Sequence, residues 1–346
     1  MSEQRSVQES NVRGPVRLPE ATVVVTDADE EIFLLYTDLS RKASAESSTS
    51  FRGLGHLDSH KDTLTLKFRL NEPSVNASVD ASSRKKKSAR KARRPPNKHA
   101  SPEEEYLEIE LAQDTTSLRS RKGDTGSVVW RASVDLAQHF LIQHHTRDPH
   151  ALLDPDVLRD AHVMELGAGT GLLSVLLGPL ARRYTVTDID AIVPLIRKNI
   201  YLNSPTLMEH SPGSLQYPRS RTTLSPQDSP SIVVEPLDWT TVHNASHQSR
   251  NTYFAYPVVD LLLVVDCIYH TSLLPALITT IDHLSTPGKT AVLVVVELRA
   301  EDVVREFLDR WLGLPGGEWE IRSVPDLMEG PYGAWVGWKK ATEPTT

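Results

Sequence analysis

A short glycine-rich segment, Val163–Leu173, has the sequence VMELGAGTGLL and contains residue types suited to holding a small ligand. The pattern predicts a strand, a turn carrying Gly167, Gly169 and Gly171, and then a helix. Glycine adopts backbone angles closed to other residues and leaves bare backbone against which a ligand can lie. Such a turn is typical of sites for nucleotide-like ligands. By itself it is a weak signal, because glycine-rich turns also serve packing alone.

The spacing of the glycines argues against a dinucleotide site. The fingerprint GxGxxG would need glycine where Leu172 stands. Glu165 lies just ahead of the first glycine, where a carboxylate suits an ammonium group and would repel phosphate. Asp188 ends the next strand, about 20 residues beyond the glycines, where a carboxylate can bind a ribose diol. Capping the next helix is its alternative role, which Asp190 is also able to fill.

Asp238 and Trp239 close the third predicted strand, at the place where an adenine would lie if its ribose bound Asp188. An indole provides a flat apolar wall for a purine. The alternative is an ordinary half-buried tryptophan at a strand end. The ligand predicted by these residues has an amino acid end, a ribose and a base.

Asp266 and Tyr269 follow the fourth predicted strand, at the edge where open α/β sheets bind ligands. A strand as apolar as this one has little structural need for a buried acid. Asp266 is therefore expected to have a functional role. Asp266 would orient a nucleophile or assist its loss of a proton, and Tyr269 would bind or enclose that nucleophile.

These residues are positioned by strands and helices that alternate from Trp130 onward, which predicts parallel βαβ units. The predicted strands are 162–166, 184–187, 232–237, 259–265, 290–296, 319–324 and 334–339. The predicted helices are 130–144, 171–180, 191–202, 271–284 and 300–312. We therefore expect an α/β fold, a Rossmann-like seven-strand sheet with helices on both faces.

Residues 1–120 form a different region, and the boundary is expected at 120/121. Short alternating runs predict a small β-rich region with strands at 21–25, 31–36, 64–70 and 106–111. The tract 84–98, RKKKSARKARRPPNK, has too little apolar surface to fold alone and is predicted to be a disordered basic insertion. A nuclear-entry signal and a weak contact with ribosomal RNA are its alternative roles. Segments 204–229 and 240–257 are predicted to be surface loops.

Composition narrows the class of protein. The net charge of −7 argues against general affinity for nucleic acid. Cys267 is the single cysteine of the sequence, which excludes an internal disulfide and a zinc site built on thiolates and favours a reducing compartment. The start of the sequence has no signal-peptide pattern, and no apolar run approaches the length of a membrane span. We expect a soluble protein of the cytoplasm, with the nucleus as a further location.

Residues 123–340 resemble the seven-strand protein-lysine methyltransferases of the methyltransferase-like 21 type. The matching pieces are Thr125–Trp130 (TGSVVW), Glu165–Gly171 (ELGAGTG), Thr187–Asp190 (TDID), Arg197–Asn199 (RKN), Leu237–Trp239 (LDW) and Asp266–Tyr269 (DCIY). The Asp-x-x-Tyr element separates this group from small-molecule and RNA methyltransferases. Leu54–Asp58, the basic insertion and Val264–His270 are similar to the fungal ribosomal lysine methyltransferases numbered five.

The resemblance implies S-adenosylmethionine as cofactor and a lysine of a large-subunit ribosomal protein as substrate. Asp266 and Tyr269 would act on the lysine. The implied cofactor contacts are Trp130, Gly167, Ala168, Gly169, Asp188, Trp239 and Val265, to which the residues themselves add Glu165 and Asp238. Three alternatives stay open: another lysine-bearing substrate such as an ATPase or elongation factor, a non-catalytic scaffold, and a nicotinamide-dependent oxidoreductase.

Overall fold

Five parallel strands form the centre of the computed structural model, which describes residues 12–45, 55–71, 105–115, 126–203, 231–315 and 319–341. The strands are β1 (Val12–Arg13), β2 (Val16–Arg17), β3 (Val23–Val24), β4 (Thr63–Arg69), β5 (Tyr106–Ala112), β6 (His162–Leu166), β7 (Arg183–Asp188), β8 (Ser231–Pro236), β9 (Leu261–Val265), β10 (Ala291–Glu297), β11 (Trp319–Ser323) and β12 (Tyr332–Lys339). The helices are α1 (Ala28–Ala45), α2 (Arg131–Thr146), α3 (Pro155–Leu158), α4 (Leu172–Leu177), α5 (Val193–Asn203), α6 (Trp239–Asn244), α7 (His247–Tyr253), α8 (Leu274–Leu284) and α9 (Glu301–Leu312). Short 3₁₀ turns at Gly178–Leu180 and Thr271–Leu273 flank α4 and α8.

The main sheet of the described residues has the order β3-β11-β12-β10-β9-β6-β7-β8. β6 to β10 are parallel, and β12, β11 and β3 add antiparallel pairs at one edge. The α/β fold class is confirmed, and each of the seven predicted strands is present. The sheet has eight strands because β3, from the N-terminal region, pairs with β11 through Val24 and Arg322.

Helices cover both faces of the sheet. Along β9, Leu261 and Leu263 pack into one apolar cluster while Leu262 and Val264 pack into the other, as alternate residues of a strand must. Strands buried on both faces read as continuous apolar runs, which explains why their positions could be predicted well. No helix in the described part of the chain has the length and apolar composition that a membrane span needs.

The predicted strand at 31–36 is wrong, because these residues lie inside α1. Ile32, Tyr36 and Leu39 recur at helical spacing and pack on the sheet. Asp27 caps the first turn by accepting a hydrogen bond from the backbone N–H of Glu30 at 2.9 Å. Six residues alone are too few to show this spacing, which becomes visible only over a longer stretch.

The predicted loop at 240–257 is also wrong, because it contains most of α6 and all of α7. Asp238 and Ser246 cap these helices by accepting hydrogen bonds from the N–H groups of Thr240 and Ser249. Both helices are short and poor in apolar residues, so their periodicity is weak. The predicted loop at 204–229 and the basic tract at 84–98 lie outside the described residues.

β4 and β5 confirm two strands predicted in the N-terminal region and pair over seven residues. Their apolar face packs on the same core as α2. Asn199 of α5 joins this pair to the rest of the fold, because its side chain exchanges hydrogen bonds with the backbone of Ala112 at 2.8 and 2.9 Å. The boundary at 120/121 stays a prediction, and these contacts cross it.

Candidate active site

A cavity of about 250 Å³ opens at the carboxyl ends of the parallel strands. It is lined by Gly126, Val128, Val129, Trp130, Ser133, Gly167, Ala168, Gly169, Thr170, Leu172, Asp188, Ile189, Leu237, Asp238, Trp239, Thr240, Val265, Asp266, Cys267, Tyr269 and Leu273. Ten of the eleven residues predicted for the site are in this set. They come from four strand ends and the approach to α2, so the parallel topology is what brings them together.

The glycine turn forms one wall of the cavity, and its surroundings leave no room for side chains at these positions. Gly167, Gly169 and Gly171 all have positive φ angles, of 65°, 58° and 77°. A Cβ on Gly167 would lie 2.8 Å from Cys267 Sγ, and one on Gly169 would lie 3.0 Å from the carbonyl oxygen of Gly126. The turn therefore presents bare backbone to the cavity.

Asp188 lies at the end of β7 and fastens the glycine turn. Its Oδ2 accepts a hydrogen bond from the N–H of Gly169 at 2.8 Å, and its Oδ1 accepts one from the N–H of Ile189 at 2.7 Å. Each carboxylate oxygen can accept two hydrogen bonds. The side chain is half-buried and reaches the cavity, so it is placed to bind hydroxyl groups there.

Trp239 provides a flat apolar wall beside the glycine turn. A Cβ on Gly167 would lie 3.0 Å from Cζ2 of its ring, so the absence of a side chain at Gly167 makes room for the indole. Asp238, which precedes it, accepts hydrogen bonds from the N–H of Thr240 and from Thr241 Oγ1 at 2.8 and 3.2 Å. Asp238 therefore caps α6 and sets the position of Trp239.

Asp266 stands directly after β9 in a left-handed conformation with φ of 58°. Its N–H donates to the carbonyl of Val295 at 2.7 Å, which keeps the residue against the sheet. The carboxylate lines the cavity, but its side chain is 2% exposed and is engaged by Arg299. Arg299 donates from Nη1 and Nη2 to the two carboxylate oxygens at 3.1 and 2.5 Å, and the N–H of Glu297 donates to Oδ1 at 3.2 Å.

Sequence reasoning missed Glu297 and Arg299. Arg299 Nη2 donates to Glu297 Oε2 at 2.9 Å, and its guanidinium lies 4.9 Å from the ring centroid of Trp130. Glu297 ends the apolar strand β10 just as Asp266 follows the apolar strand β9. An acid at the end of an apolar strand therefore marks Glu297 as it marks Asp266, whereas Arg299 is recognised by its partners in space.

Tyr269 and Cys267 complete this side of the cavity. Tyr269 lines the cavity and is 38% exposed. Burial and the nearby acids raise the pKa of Cys267 well above its ordinary value, and its Sγ donates to the carbonyl of Leu166 at 3.2 Å. A protonated thiol in this setting is inert as a nucleophile.

The structure does not bring Glu165 to the cavity. Its side chain is buried within the sheet layer, and the hydroxyl of Tyr184 donates to Oε2 at 2.8 Å. Burial raises the pKa of Glu165 to about 8. Glu165 is not among the residues that line the cavity, and its contact with an ammonium group stays a prediction.

The remaining lining residues fit a nucleoside. Gly167 and Gly169 leave a cradle of bare backbone, Trp239 offers a stacking face, and Asp188 offers acceptors for a ribose diol. Asp266 and Tyr269 line the same cavity and follow β9. The described residues contain no group of three or more metal-ligating side chains placed to hold a metal ion.

Comparison with known proteins adds the family. A family model described as lysine methyltransferase matches residues 110–215 and 221–311, more than half of the chain. The chain is 27% identical over 202 residues to the bovine (Bos taurus) protein-lysine methyltransferase METTL21E, covering 58% of this chain and 57% of that protein. It is 23% identical over 325 residues to ribosomal lysine N-methyltransferase 5 of Candida glabrata, covering 82% of this chain and 89% of that protein.

A third relative has a different name. The chain is 27% identical over 205 residues to a Schizosaccharomyces pombe protein named diaminohydroxyphosphoribosylamino-pyrimidine deaminase, covering 58% of this chain and 41% of that protein. Matches to the bovine and S. pombe proteins span about half of each relative's length. The names of such relatives therefore describe the relatives, while the family match describes this chain. The chain belongs to the lysine methyltransferase family.

Proposed function

We propose that the protein is an S-adenosylmethionine-dependent protein-lysine N-methyltransferase. The observation that carries this is a single cavity that joins a nucleoside cradle to an acid and a tyrosine. Gly167, Asp188 and Trp239 form the cradle, and Asp266 and Tyr269 line the same cavity. Membership of the lysine methyltransferase family supports the same reaction.

The cofactor, when bound, supplies a methyl group on a positively charged sulfonium sulfur. Asp188 would accept hydrogen bonds from the ribose hydroxyls, and Trp239 would stack on the adenine. The bare backbone at Gly167 and Gly169 allows the close approach that these contacts need. Ala168 and Val265 line the same cavity and would help to exclude water from it.

The acceptor side must align an amine and let it lose a proton. A lysine amine is protonated at neutral pH, and burial lowers its pKa by disfavouring the charged form. Asp266 would accept a hydrogen bond from the amine and take the proton that leaves as the nitrogen–carbon bond forms and the sulfur–carbon bond breaks. Tyr269, which lines the same cavity, would enclose the lysine side chain.

A large-subunit ribosomal protein is the proposed substrate. The support is the Candida glabrata relative named ribosomal lysine N-methyltransferase 5, whose match extends over most of both chains. Another lysine-bearing protein is the alternative, supported by the relatives named METTL21E and METTL21A. A weak contact of residues 84–98 with ribosomal RNA, and action in the cytoplasm and nucleus, stay predictions.

Labelling of an extract tests activity and substrate together. Extract from cells lacking the protein is incubated with the purified protein and tritiated S-adenosylmethionine, and labelled bands are identified by mass spectrometry. We expect methyllysine in a large-subunit ribosomal protein. Label in another protein would contradict the ribosomal substrate, and no label at all would contradict the enzymatic activity. Parallel binding assays test the other two alternatives. A non-catalytic scaffold need not bind S-adenosylmethionine. An oxidoreductase would bind NADH, which would quench the fluorescence of the protein.

A further inference from the structure

Two carboxylates and one guanidinium form a compact cluster at the acceptor side of the cavity. Arg299 bridges Asp266 and Glu297, with Nη2 2.5 Å from Asp266 Oδ2 and 2.9 Å from Glu297 Oε2. The two acidic side chains are nearly fully buried. A two-pronged guanidinium–carboxylate contact fixes orientation as well as charge. The Asp266 carboxylate is therefore held in one position by Arg299.

Arg299 itself is enclosed on two sides. Its guanidinium lies over the ring of Trp130, and a Cβ on Gly55 would lie 2.3 Å from Nη2 and 2.7 Å from Glu297 Oε2. Gly55 has a φ of 89°, a conformation that other residues rarely adopt. The backbone at Gly55 thus packs directly on the cluster, and residues 55–57 form a cover over it, while 28% of the Arg299 side chain stays exposed.

The cover, residues 55–57, is held to the cavity wall by backbone hydrogen bonds. The N–H of Arg131 donates to the carbonyl of Gly55 at 2.8 Å, and the N–H of Leu57 donates to the carbonyl of Val129 at 2.9 Å. His56 pairs with Trp130 as an isolated bridge. Residues 55–57 lie outside 110–311, the span matched to the lysine methyltransferase family, so this contribution comes from the N-terminal region.

The charges of the cluster suit a cationic acceptor. Burial acts to lower the pKa of Arg299, but its hydrogen bonds to Asp266 and the charges of Asp266 and Glu297 outweigh this and raise the pKa above its ordinary value. The guanidinium therefore stays charged. The cluster contains two acids and only one cation. Its excess of acidic groups can therefore attract an ammonium group, while Arg299 keeps Asp266 in place.

We propose that Arg299, held in place by the cover at Gly55, is a positioning residue that aims the Asp266 carboxylate at the acceptor amine. This inference rests on the proposed lysine methyltransferase activity and deepens it. It differs from a plug that substrate would displace, because Gly55 and Trp130 confine the guanidinium. Loss of Arg299 would let the carboxylate turn, and misplacement by about 1 Å costs up to about 10²-fold in rate.

Four variants test the proposal: Arg299→Met, Arg299→Lys, Gly55→Ala and the control Gly288→Ala. Gly288 also has a positive φ, of 69°, but lies in a turn whose nearest neighbour for a Cβ is Ala341 at 3.2 Å. The control therefore also places an alanine at a positive φ, but away from the cavity. Each variant is assayed with the protein that the wild type labels in the extract, purified from that extract, and with tritiated S-adenosylmethionine.

We expect kcat to fall by about 10²-fold in Arg299→Met, with KM and the Kd for S-adenosylmethionine changed by a few fold at most. Arg299→Lys, which keeps the charge and loses the fork, should restore part of kcat. Gly55→Ala should lower kcat, while Gly288→Ala should keep it at a similar loss of Tm.

Unchanged kcat in Arg299→Met would overturn the inference, and so would a lowered KM, which would indicate a displaceable plug. If Arg299→Met does not fold, Gly55→Ala decides, because equal kcat in Gly55→Ala and Gly288→Ala would also overturn it. Labelling by the wild-type protein distinguishes a failure of the proposed function from a failure of the inference about Arg299. No label with the wild type would count against the proposed function, whereas equal label with wild type and Arg299→Met would count against the inference alone.

Discussion

The acid after β9 combines a left-handed backbone with a nearly fully buried carboxylate, and both features are costly for an aspartate. Asp266 has a φ of 58°, and its side chain is 2% exposed. Residues outside the usual backbone regions persist where the surrounding structure holds them, and they cluster at functional sites. Here the N–H group bonds to β10 and the carboxylate to Arg299, so packing fixes both.

We predict that Asp266→Asn abolishes methylation, as does Asp266→Ala, while the affinity for S-adenosylmethionine changes by a few fold at most. Asparagine tolerates the left-handed conformation, so the substitution removes charge and basicity rather than the backbone shape. The measurements are transfer of tritium and calorimetric binding. The matched control is Asp326→Asn, at an exposed aspartate with φ of 54°, which should keep activity. Full turnover of Asp266→Asn would show that the assigned role is wrong.

A second prediction concerns Glu165, whose burial raises its pKa from 4.5 to about 8. The neutral carboxyl favours the folded state, so its contribution is complete below pH 4.5 and is lost as the pH rises through about 8. We expect Glu165→Gln, which can still accept from Tyr184, to reduce the fall in Tm between these pH values. Glu108→Gln, at an exposed strand position, is the control and should leave the profile unchanged.

The same variant tests the location of Glu165. A residue below the cavity wall should leave the Kd for S-adenosylmethionine nearly unchanged in Glu165→Gln, measured by calorimetry. A loss of affinity by about tenfold or more, equal to about 1.4 kcal/mol, would instead support the direct ammonium contact expected from the sequence.

Individual site residues could be predicted where a polar side chain ends an apolar strand. Asp188 and Asp266 were recognised in this way. Glu165 also lies in an apolar strand, but the sequence does not show which side of the sheet its carboxyl faces, and that side is occupied by Tyr184. Arg299 has no local signal, because its role depends on two acids and a ring that meet it in space.

At the scale of elements, the N-terminal helix α1 is attached by a buried polar contact. Trp335 of β12 donates from Nε1 to Glu31 Oε1 at 2.9 Å, and Ile32 packs beside it in the core. Since the indole N–H is fully buried, it depends on this acceptor. The contact ties the first helix to the last strand of the sheet.

We predict that Glu31→Ala lowers the free energy of unfolding by about 1–3 kcal/mol, because it leaves a buried donor without its partner. Chemical denaturation measures this loss. The exposed neighbour in Glu30→Ala is the control and should change stability far less. Affinity for S-adenosylmethionine should be the same in both variants at a temperature where both are folded. Equal stability of the two variants would contradict the prediction.

Elements were predictable in proportion to how much of each is buried. β6 was predicted at its observed bounds, since all five of its residues are buried and turns flank it. Residues 31–36 of α1 were read as a strand because the apolar face of this helix is narrow and mixed with acids. α6 and α7 were read as a loop because each is about two turns long or less, and α7 has no buried residue. Their stability comes from caps and neighbours rather than from periodicity.

At the scale of the whole molecule, the basic tract 84–98 lies between two strands that pair directly. β4 and β5 remain paired as far as Arg69 and Tyr106, so their register does not depend on the length of the connection. We predict that deleting residues 84–98 leaves cofactor binding intact and changes stability by less than about 0.6 kcal/mol, since closure entropy varies slowly with loop length. Calorimetry measures the cofactor binding, and thermal unfolding measures the stability. A loss of folding would show that the tract is structural.

The contact between Glu31 and Trp335 joins residues 304 positions apart, and β3 likewise pairs with a strand near residue 322. During translation at about 5–20 residues per second, α1 is complete roughly 15–60 seconds before its partner strand exists. Its apolar side, including Ile32, lacks throughout that interval the strand on which it packs in the folded protein. A nascent chain that stalls before α9 and β12 leaves this helix without its partners, so premature termination would yield a product with an uncovered amino-terminal helix.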